Sequence, residues 1–312
     1  MNYDIIGDIH GHAAQLELLL QKLGYQHRGG AWRHPDRVAI FVGDLIDRGP
    51  KQLPTLILVR AMIEAGSARA TMGNHEFNAI AWATPDPLSD GHHLRPRHGH
   101  KGVKNRHQHR AFLAEVGEDT QQHRDWVRWL LDLPLWIEEP TFRVVHACWS
   151  PKQVNVLLPD LRSGARLTPE LIERAHRKGN AAYDAIETLL KGVEVRLPFG
   201  ITFKDKENHE RDAIRTKWWN SELTTYRAAY IGPRSVDIPD VPIPDHQRLP
   251  EPDRPTFIGH YWLEPDGPLE PVSKRVACVD YSVAKHGPLV AYRFDGEAEL
   301  SADKFVASWP RG

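Results

Sequence analysis

The pattern that most constrains the fold is a short apolar run, then a polar loop rich in glycine, then a segment with helical periodicity. It occurs three times in the first 83 residues. The apolar runs cover residues 3–6, 38–42 and 69–72. The segments with helical spacing cover residues 12–23, 50–64 and 77–83. Three such units predict an α/β layered fold, in which ligand groups collect at the carboxyl ends of the strands.

The rest of the chain predicts a second sheet and further helices. Apolar runs at residues 142–145 and 256–258 indicate strands, and residues 275–281 and 289–294 alternate well enough for two strands that close the second sheet. Amphipathic helices are predicted at residues 121–131 and 180–190. The simplest assembly is a two-sheet β-sandwich flanked by helices.

The length of 312 residues allows one large domain or two. We predict a single domain over residues 1–312 with two additions. The first is a basic loop at residues 84–110, which holds six of the eighteen histidines. A His-rich tract can bind metal, but this spacing follows no ligand pattern, so a basic loop over the site is the preferred interpretation. The second addition is a helical cap inserted at about residues 150–216.

Composition excludes several classes of function. The formal net charge is -1, so no overall field would recruit nucleic acid or an acidic membrane. The sequence has no apolar run of membrane-spanning length, and its first residues lack the pattern of a signal peptide. A cytoplasmic location is therefore expected, with Cys148 and Cys278 as buried thiols.

Six candidate metal ligands follow predicted strands. Any one of them could be an ordinary core or surface residue, but as a set they share the same position after an apolar run. The six are Asp8, His10, Asp44, Asn74, His146 and His260. A mixture of oxygen and nitrogen ligands favours Mn, Fe or Zn over Ca or Mg, and six groups suit two ions that share one carboxylate.

The same stretches resemble a known family. Residues 7–11, 43–49 and 73–76, together with His146 and Gly259-His260, resemble the ordered signature of the metallophosphoesterase superfamily, in particular its phosphoprotein-phosphatase branch. That branch includes bacterial serine/threonine protein phosphatases and diadenosine tetraphosphatases. The resemblance implies a calcineurin-like β-sandwich domain over the whole chain.

The resemblance also implies roles for individual residues. One metal would take Asp8 and His10, the other would take Asn74, His146 and His260, and Asp44 would bridge the two. His75 would protonate the leaving group, Asp47 would orient His75, and Arg48 would bind the phosphate.

The chain departs from the family pattern after His146, where Ala147-Cys148-Trp149 replaces a small Gly-rich turn. A second phosphate-binding arginine is common before the last histidine. Arg215 is the preferred candidate because it precedes Lys217-Trp218-Trp219, with Arg227 and Arg234 as alternatives.

These features predict a two-metal phosphoester hydrolase, with Mn as the first choice of metal and Fe or Zn as alternatives. The main hypothesis is a phosphomonoesterase of the serine/threonine protein phosphatase type, acting on a phosphorylated partner without binding membranes or specific nucleic acids. An alternative is hydrolysis of dinucleotide polyphosphates, for which residues 95–106 would supply charge and Trp218-Trp219 would supply stacking. A third hypothesis is a non-catalytic metal-binding module, although the presence of His75, Asp47 and Arg48 together favours an enzyme.

Overall fold

The computed structural model describes residues 2–204, 210–233 and 235–309. The strands are β1 Asn2–Ile6, β2 Gln26–Arg28, β3 Ala31–Arg33, β4 Arg37–Phe41, β5 Ala68–Ala70, β6 Trp136–Glu138, β7 Arg143–Val145, β8 Glu194–Arg196, β9 Phe203–Lys204, β10 Glu210–Arg211, β11 Ala213–Arg215, β12 Thr256–Ile258, β13 Val276–Cys278, β14 Val290–Phe294 and β15 Phe305–Ala307. The α-helices are α1 Ala13–Leu23, α2 Gln52–Glu64, α3 Asn74–Ala83, α4 Gly99–Val116, α5 Gln121–Leu131, α6 Pro151–Leu157, α7 Pro169–Ala175, α8 Ala181–Lys191 and α9 Tyr226–Ala229.

Two larger sheets organise the chain. The five-stranded sheet has the order β15-β14-β1-β4-β5, with β1, β4 and β5 parallel and the other two strands antiparallel to their neighbours. The four-stranded sheet has the order β13-β12-β7-β6, in which β12 is parallel to both β13 and β7. The three strand, loop and helix units predicted near the N-terminus are therefore the parallel part of the five-stranded sheet.

An aromatic core separates the two sheets. The ring of Phe257 on β12 lies 5.2 Å from that of Tyr292 and 5.4 Å from that of Phe294, both on β14 of the opposite sheet. The outer face of the five-stranded sheet, including Ile6 and Phe41, packs in one cluster with leucines of α1 and α2. The predicted two-sheet β-sandwich flanked by helices is confirmed.

One prediction about the sheets is wrong. Residues 275–281 and 289–294 do not close a single sheet, because β13 joins the four-stranded sheet and β14 joins the five-stranded sheet. Alternation of apolar residues predicts which face of a strand is buried, whereas the choice of partner depends on contacts distant in sequence. Here β14 pairs with β1, and the partners Tyr3 and Phe294 are 291 positions apart in the chain.

The prediction of a loop at residues 84–110 is also wrong in its second half, which forms most of α4. The buried large apolar residues of this helix, Phe112, Leu113 and Val116, lie in its last turns, and His109 is buried with them. Periodicity is read from apolar residues, so the polar first turns gave no helical signal.

The helices expected in a cap pack into the main body of the protein. Leu157 of α6, Leu171 of α7 and Leu189 of α8 belong to the same core cluster as α1 and α2. A separate small cluster forms around Val195 and Ile214. The bounds of a cap at about residues 150–216 stay a prediction. Among the described residues, no helix combines the length and the apolarity needed to cross a membrane.

Candidate active site

The six predicted ligands meet where strands of both sheets end. Asp8 and His10 follow β1, and Asp44 follows β4. Asn74 begins α3 after β5, while His146 and His260 follow β7 and β12 of the other sheet. The site therefore lies across the open edge between the two sheets, as expected for parallel strands that end together.

The first group of donors surrounds Asp44. The Nδ1 atom of His10 donates to the carbonyl of Ile46 at 2.9 Å, so its Nε2 atom faces the site, 3.6 Å from Asp44 Oδ2. Burial lowers the pKa of His10 to about 3, which keeps the ring in the neutral form that binds metal. The side chains of His10, Asp44 and His75 are close enough to hold one ion.

The second group shares Asp44. His146 Nδ1 donates to the carbonyl of Val42 at 2.9 Å, and His146 Nε2 lies 3.4 Å from Asp44 Oδ2. Asn74 Oδ1 lies 3.2 Å from His146 Nε2 and 2.9 Å from His260 Nδ1. Asp44, His146 and His260 could therefore hold a second ion, with Asn74 beside them. Asp44 is the one residue common to both groups.

Asp8 lies at the edge of these groups. Its Oδ2 atom accepts the backbone N–H of His260 at 3.1 Å, while its Oδ1 atom is buried without a hydrogen-bond partner among the described residues. The Nε2 atom of His10 is in the same condition. A buried polar atom without a partner lowers stability. Two such atoms beside Asp44, each able to bind a metal ion, are therefore consistent with a bound cation. The residues present therefore suit a divalent metal, although the structure groups His10 with Asp44 and His75 more closely than with Asp8.

The backbone around these groups is strained. Of the ten described non-glycine residues with positive φ, six lie in the site: His10, Asp44, Asp47, Arg48, His260 and Trp262. Such conformations cost free energy and cluster where side chains must be aimed. Gly259 allows a further close approach, because a Cβ atom there would lie 2.0 Å from Asp8 Oδ1.

His75 and Asp47 form the predicted pair. His75 Nδ1 lies 2.6 Å from Asp47 Oδ2, and the backbone N–H of His75 donates to Asp44 Oδ1 at 2.9 Å. Burial opposes ionisation of Asp47, but His109 and His75 hold its pKa below the usual range. Burial likewise opposes protonation of His75, yet Asp44 and Asp47 raise its pKa.

Two arginines reach the site. Arg48 Nη2 lies 3.1 Å from His75 Nε2, and its guanidinium stacks 3.8 Å from the ring centre of Trp262. Arg215 Nη1 lies 3.2 Å from His260 Nε2, at the other side of the ligand groups.

The alternatives to Arg215 have less support. Arg227 forms a surface ion pair with Asp237 at 3.3 Å and, among the described residues, has no hydrogen bond to a predicted ligand. Arg234 lies outside the described residues. The Trp218-Trp219 pair, expected to stack on a substrate, is instead buried in the core, where Trp218 Nε1 donates to Tyr261 Oη at 3.0 Å.

Sequence reasoning missed several residues that shape the site. Glu76 accepts the backbone N–H groups of Asp44 and Gly73, each at 2.8 Å, and that of Leu45 at 2.9 Å. Asp280 accepts the N–H of Trp262 at 2.9 Å. Asp280 follows the apolar residues of β13, so the pattern that identified the ligands could have revealed it.

A cavity of about 550 Å³ opens beside His75 and Asp47. The residues that line it include Arg48, Arg95, His109, Lys191 and Trp262. Lys191 forms an ion pair with Glu187, whereas Arg48 and Arg95 have no carboxylate within ion-pair distance in the part of the chain that the structure describes. Trp262 also lines a neighbouring cavity of about 1050 Å³.

A helix-flanked β-sandwich with two overlapping ligand groups, a buried His–Asp pair and an adjacent arginine defines a metallophosphoesterase. Residues 1–160, half of the chain, match the family model described as Calcineurin-like phosphoesterase, and the chain belongs to this family. The predicted superfamily and the predicted enzyme class, a metal-dependent hydrolase, are thereby confirmed.

Similar proteins carry more specific names. A protein of Halalkalibacterium halodurans named Bis(5'-nucleosyl)-tetraphosphatase PrpE (asymmetrical) is 47% identical over 76 residues, which cover 24% of this chain and 31% of the relative. A protein of Bacillus subtilis with the same name is 40% identical over 95 residues, which cover 30% of this chain and 39% of the relative. The similarity thus spans less than half the length of these relatives. A solved structure of a protein serine/threonine phosphatase from Saccharomyces cerevisiae is 13% identical, with coverage of 98% of this chain and 79% of that chain and a TM-score of 0.47.

Proposed function

We propose that this protein hydrolyses dinucleotide polyphosphates of the bis(5'-nucleosyl) tetraphosphate type. This is the alternative from the sequence rather than its main hypothesis of a serine/threonine protein phosphatase. The observation that carries the proposal is the positive lining of the cavity beside His75, where Arg48 and Arg95 lack carboxylate partners within the described residues. A phosphomonoester offers one phosphate group to these cations, whereas a polyphosphate chain offers several. The names of the N-terminal relatives support the same substrate class.

The metal ligands in this proposal are those predicted from the sequence. Asp8, His10 and Asp44 would hold one divalent ion, and Asp44, Asn74, His146 and His260 would hold the other. When bound, the two ions supply an activated water and offset the charge that develops on the phosphate. Manganese is the first metal to test, and iron and zinc are the alternatives, since nitrogen and oxygen donors suit all three.

The side chains around the ligands complete the proposed mechanism. His75 Nδ1 donates to Asp47, which leaves Nε2 to give a proton to the departing oxygen. The guanidinium of Arg48 can bind two phosphoryl oxygens, and its stacking on Trp262 limits its orientations. Arg215, held beside His260, is the proposed second arginine on the phosphate that reacts.

A substrate panel tests this function. The protein loaded with Mn²⁺ would be assayed with diadenosine tetraphosphate, a phosphoserine peptide and p-nitrophenyl phosphate. We expect kcat/KM for the dinucleotide to exceed that for the phosphopeptide by at least about tenfold, an advantage of about 1.4 kcal/mol in the transition state. The reverse order would restore the protein phosphatase hypothesis, and bound metal without turnover of any substrate would favour a binding module.

His75→Asn is the catalytic control for this panel. We expect turnover to fall by about 10² to 10⁴-fold, because the variant lacks the proton donor. Its metal content, measured by elemental analysis, should equal that of the original protein, since metal binding is not the proposed role of His75. Full activity towards a substrate with a poor leaving group would contradict the role of His75.

A further inference from the structure

Arg95 is placed in the cavity by a short network of uncharged contacts. Its backbone N–H donates to the carbonyl of Ala81 at 3.1 Å, at the end of α3. Its Nη2 atom donates to Gln108 Oε1 at 2.7 Å, and Gln108 lies on α4. Both side chains line the cavity that contains Arg48 and His75. The guanidinium is therefore held in the cavity without being neutralised.

No carboxylate of the described residues lies within ion-pair distance of Arg95. Its Nε atom is buried and has no hydrogen-bond acceptor among the described residues. Asp47 and Glu187 are the acidic groups that interact with Arg95 electrostatically. Both are already engaged: the carboxylate of Asp47 accepts hydrogen bonds from two histidines, and Glu187 forms an ion pair with Lys191. Burial lowers the pKa of Arg95 to about 10, so the group is still a cation at neutral pH.

Neighbouring arginines behave differently. Arg97 Nη1 lies 2.8 Å from Asp119 Oδ2, and Arg106 Nη1 lies 2.7 Å from Glu118 Oε2. These ion pairs neutralise two of the basic residues that the sequence assigned to substrate attraction. A half-buried cation without a counter-ion is unfavourable. The difference between Arg95 and these paired arginines indicates that Arg95 binds an anion that is not part of the chain.

We propose that Arg95 and Gln108 form a subsite for a second phosphate group of the substrate, next to the one that Arg48 and His75 engage. The subsite takes a phosphate of a polyphosphate chain and has no ligand in a phosphomonoester. Arg95 would thereby contribute to the choice between these substrate classes. This inference rests on the proposed function, because only a polyphosphate substrate fills both positions.

The test compares Arg95→Met with Arg106→Met, a matched control on an arginine that is already paired. For Arg95→Met we expect kcat/KM for diadenosine tetraphosphate to fall by about 10 to 100-fold, the loss of one charged hydrogen bond. Turnover of p-nitrophenyl phosphate should change by less than about twofold. Arg106→Met should leave both values within about twofold, and Arg95→Lys should recover part of the loss.

A binding measurement separates affinity from chemistry. Calorimetric titration of diadenosine tetraphosphate into His75→Asn should show tighter binding than titration into His75→Asn with Arg95→Met. Equal affinities and equal rates would overturn the subsite while leaving the proposed function intact. An equal loss on p-nitrophenyl phosphate would also overturn it, because Arg95 would then support the site in general. If the unmodified protein does not hydrolyse the dinucleotide, the proposed function and the subsite both fail.

A separate observation concerns His109. Each carboxylate oxygen of Asp47 accepts a hydrogen bond from a histidine. His75 Nδ1 lies 2.6 Å from Oδ2, and His109 Nδ1 lies 2.8 Å from Oδ1. His109 is buried, and its ring lies 5.1 Å from that of Phe112. Helix α4 therefore contacts the His75–Asp47 pair through the side chain of His109.

We infer that His109 is a positioning residue for His75, acting through Asp47. Its N–H occupies Oδ1, so Asp47 is held with Oδ2 directed at His75. Without that donor, a buried carboxylate oxygen loses its partner and the carboxylate can rotate away from His75. The ring of His75 would then be less well oriented, and its transfer of a proton to the leaving group would be slower.

Dependence on the leaving group distinguishes this role from a merely structural one. A p-nitrophenolate ion departs without a proton, whereas the phenolate of phenyl phosphate needs one. We expect His109→Leu to lower kcat for phenyl phosphate by about 10-fold or more and kcat for p-nitrophenyl phosphate by less than about threefold. His109→Asn, whose Nδ2 atom can replace Nδ1 as donor, should restore most of the loss.

The control is His100→Asn, an exposed position on the same helix, which should change neither substrate. Equal losses on both substrates would show that His109 only supports the fold, and no loss on either would show that Asp47 is held without it. Both results would overturn the inference.

Discussion

Glu76 determines the conformation of the loop that carries Asp44, because one carboxylate accepts the backbone N–H groups of Gly73, Asp44 and Leu45. In Glu76→Gln, the side-chain NH₂ group would replace one carboxylate oxygen and would face backbone N–H groups. At least one of these backbone N–H groups would then lose its hydrogen-bond acceptor. We expect the free energy of unfolding to fall by about 2 to 4 kcal/mol, measured by urea denaturation. Metal affinity should weaken as well, since Asp44 is common to both ligand groups.

Glu115→Gln is the matched control for Glu76. Glu115 likewise accepts backbone N–H groups, those of Gln52 and Leu53 at the start of α2, but neither of these is a residue of the ligand groups. The loss should be about 1 kcal/mol, with metal affinity unchanged. Equal losses of stability and metal affinity in both variants would show that Glu76 has no special role at Asp44.

At the scale of residues, the sequence located the side chains that the structure brings together at the candidate site, and it missed several residues that hold them in place. Asp44, His75 and Asp47 lie in glycine-bounded loops directly after apolar runs, so their position followed from local pattern. Glu76 is equally local but acts through backbone contacts that no pattern of side chains reveals. His109 meets Asp47 from 62 residues away, a contact that depends on how α4 packs.

Helix α5 provides a prediction at the scale of elements. Its His123 is buried against Phe112 of α4, and its Nδ1 accepts the N–H of Asp119 at 3.2 Å. Burial, with a smaller effect from His109, lowers the pKa of His123 from 6.5 to about 4. The unfolded chain therefore binds a proton that the folded chain resists, and stability is lost as pH falls from about 6.5 towards 4.

Urea denaturation at pH 7, 6 and 5 tests this effect of His123. His123→Gln keeps an acceptor but does not titrate, so its stability should fall less steeply with decreasing pH than that of the original protein. The two slopes should differ by up to about 1.4 kcal/mol per pH unit, the value for one proton. The two proteins are identical at every other position, so contributions from the rest of the chain cancel in the comparison. Identical slopes would mean that His123 is not part of the acid sensitivity.

The elements also show where sequence patterns stop being informative. Helices α5 and α8 were predicted almost to the residue, because their apolar residues recur at helical spacing. Helix α4 was missed because the residues of its first turns are mostly polar and show no apolar repeat at helical spacing. The strands β13 and β14 were recognised but assigned to one sheet, since alternation carries no information about the partner.

At the scale of the whole molecule, the ligand groups join the two halves of the sandwich. Asp8, His10, Asp44 and Asn74 follow strands of the five-stranded sheet, whereas His146 and His260 follow strands of the four-stranded sheet. The proposed ions would therefore link the sheets at their open edge. At this edge the buried atoms Asp8 Oδ1 and His10 Nε2 have no hydrogen-bond partner among the described residues. Metal binding should consequently stabilise the entire fold.

Thermal unfolding with and without metal tests this coupling. With Mn²⁺ at about 100 times Kd, each site should add about 2.7 kcal/mol to the free energy of unfolding, so Tm should rise by several degrees relative to protein treated with EDTA. Asp44→Asn should show a much smaller rise, because it removes the carboxylate that both groups share. An equal rise in the two proteins would place the stabilising metal elsewhere, and no rise in the original protein at saturating Mn²⁺ would contradict a metal link between the sheets.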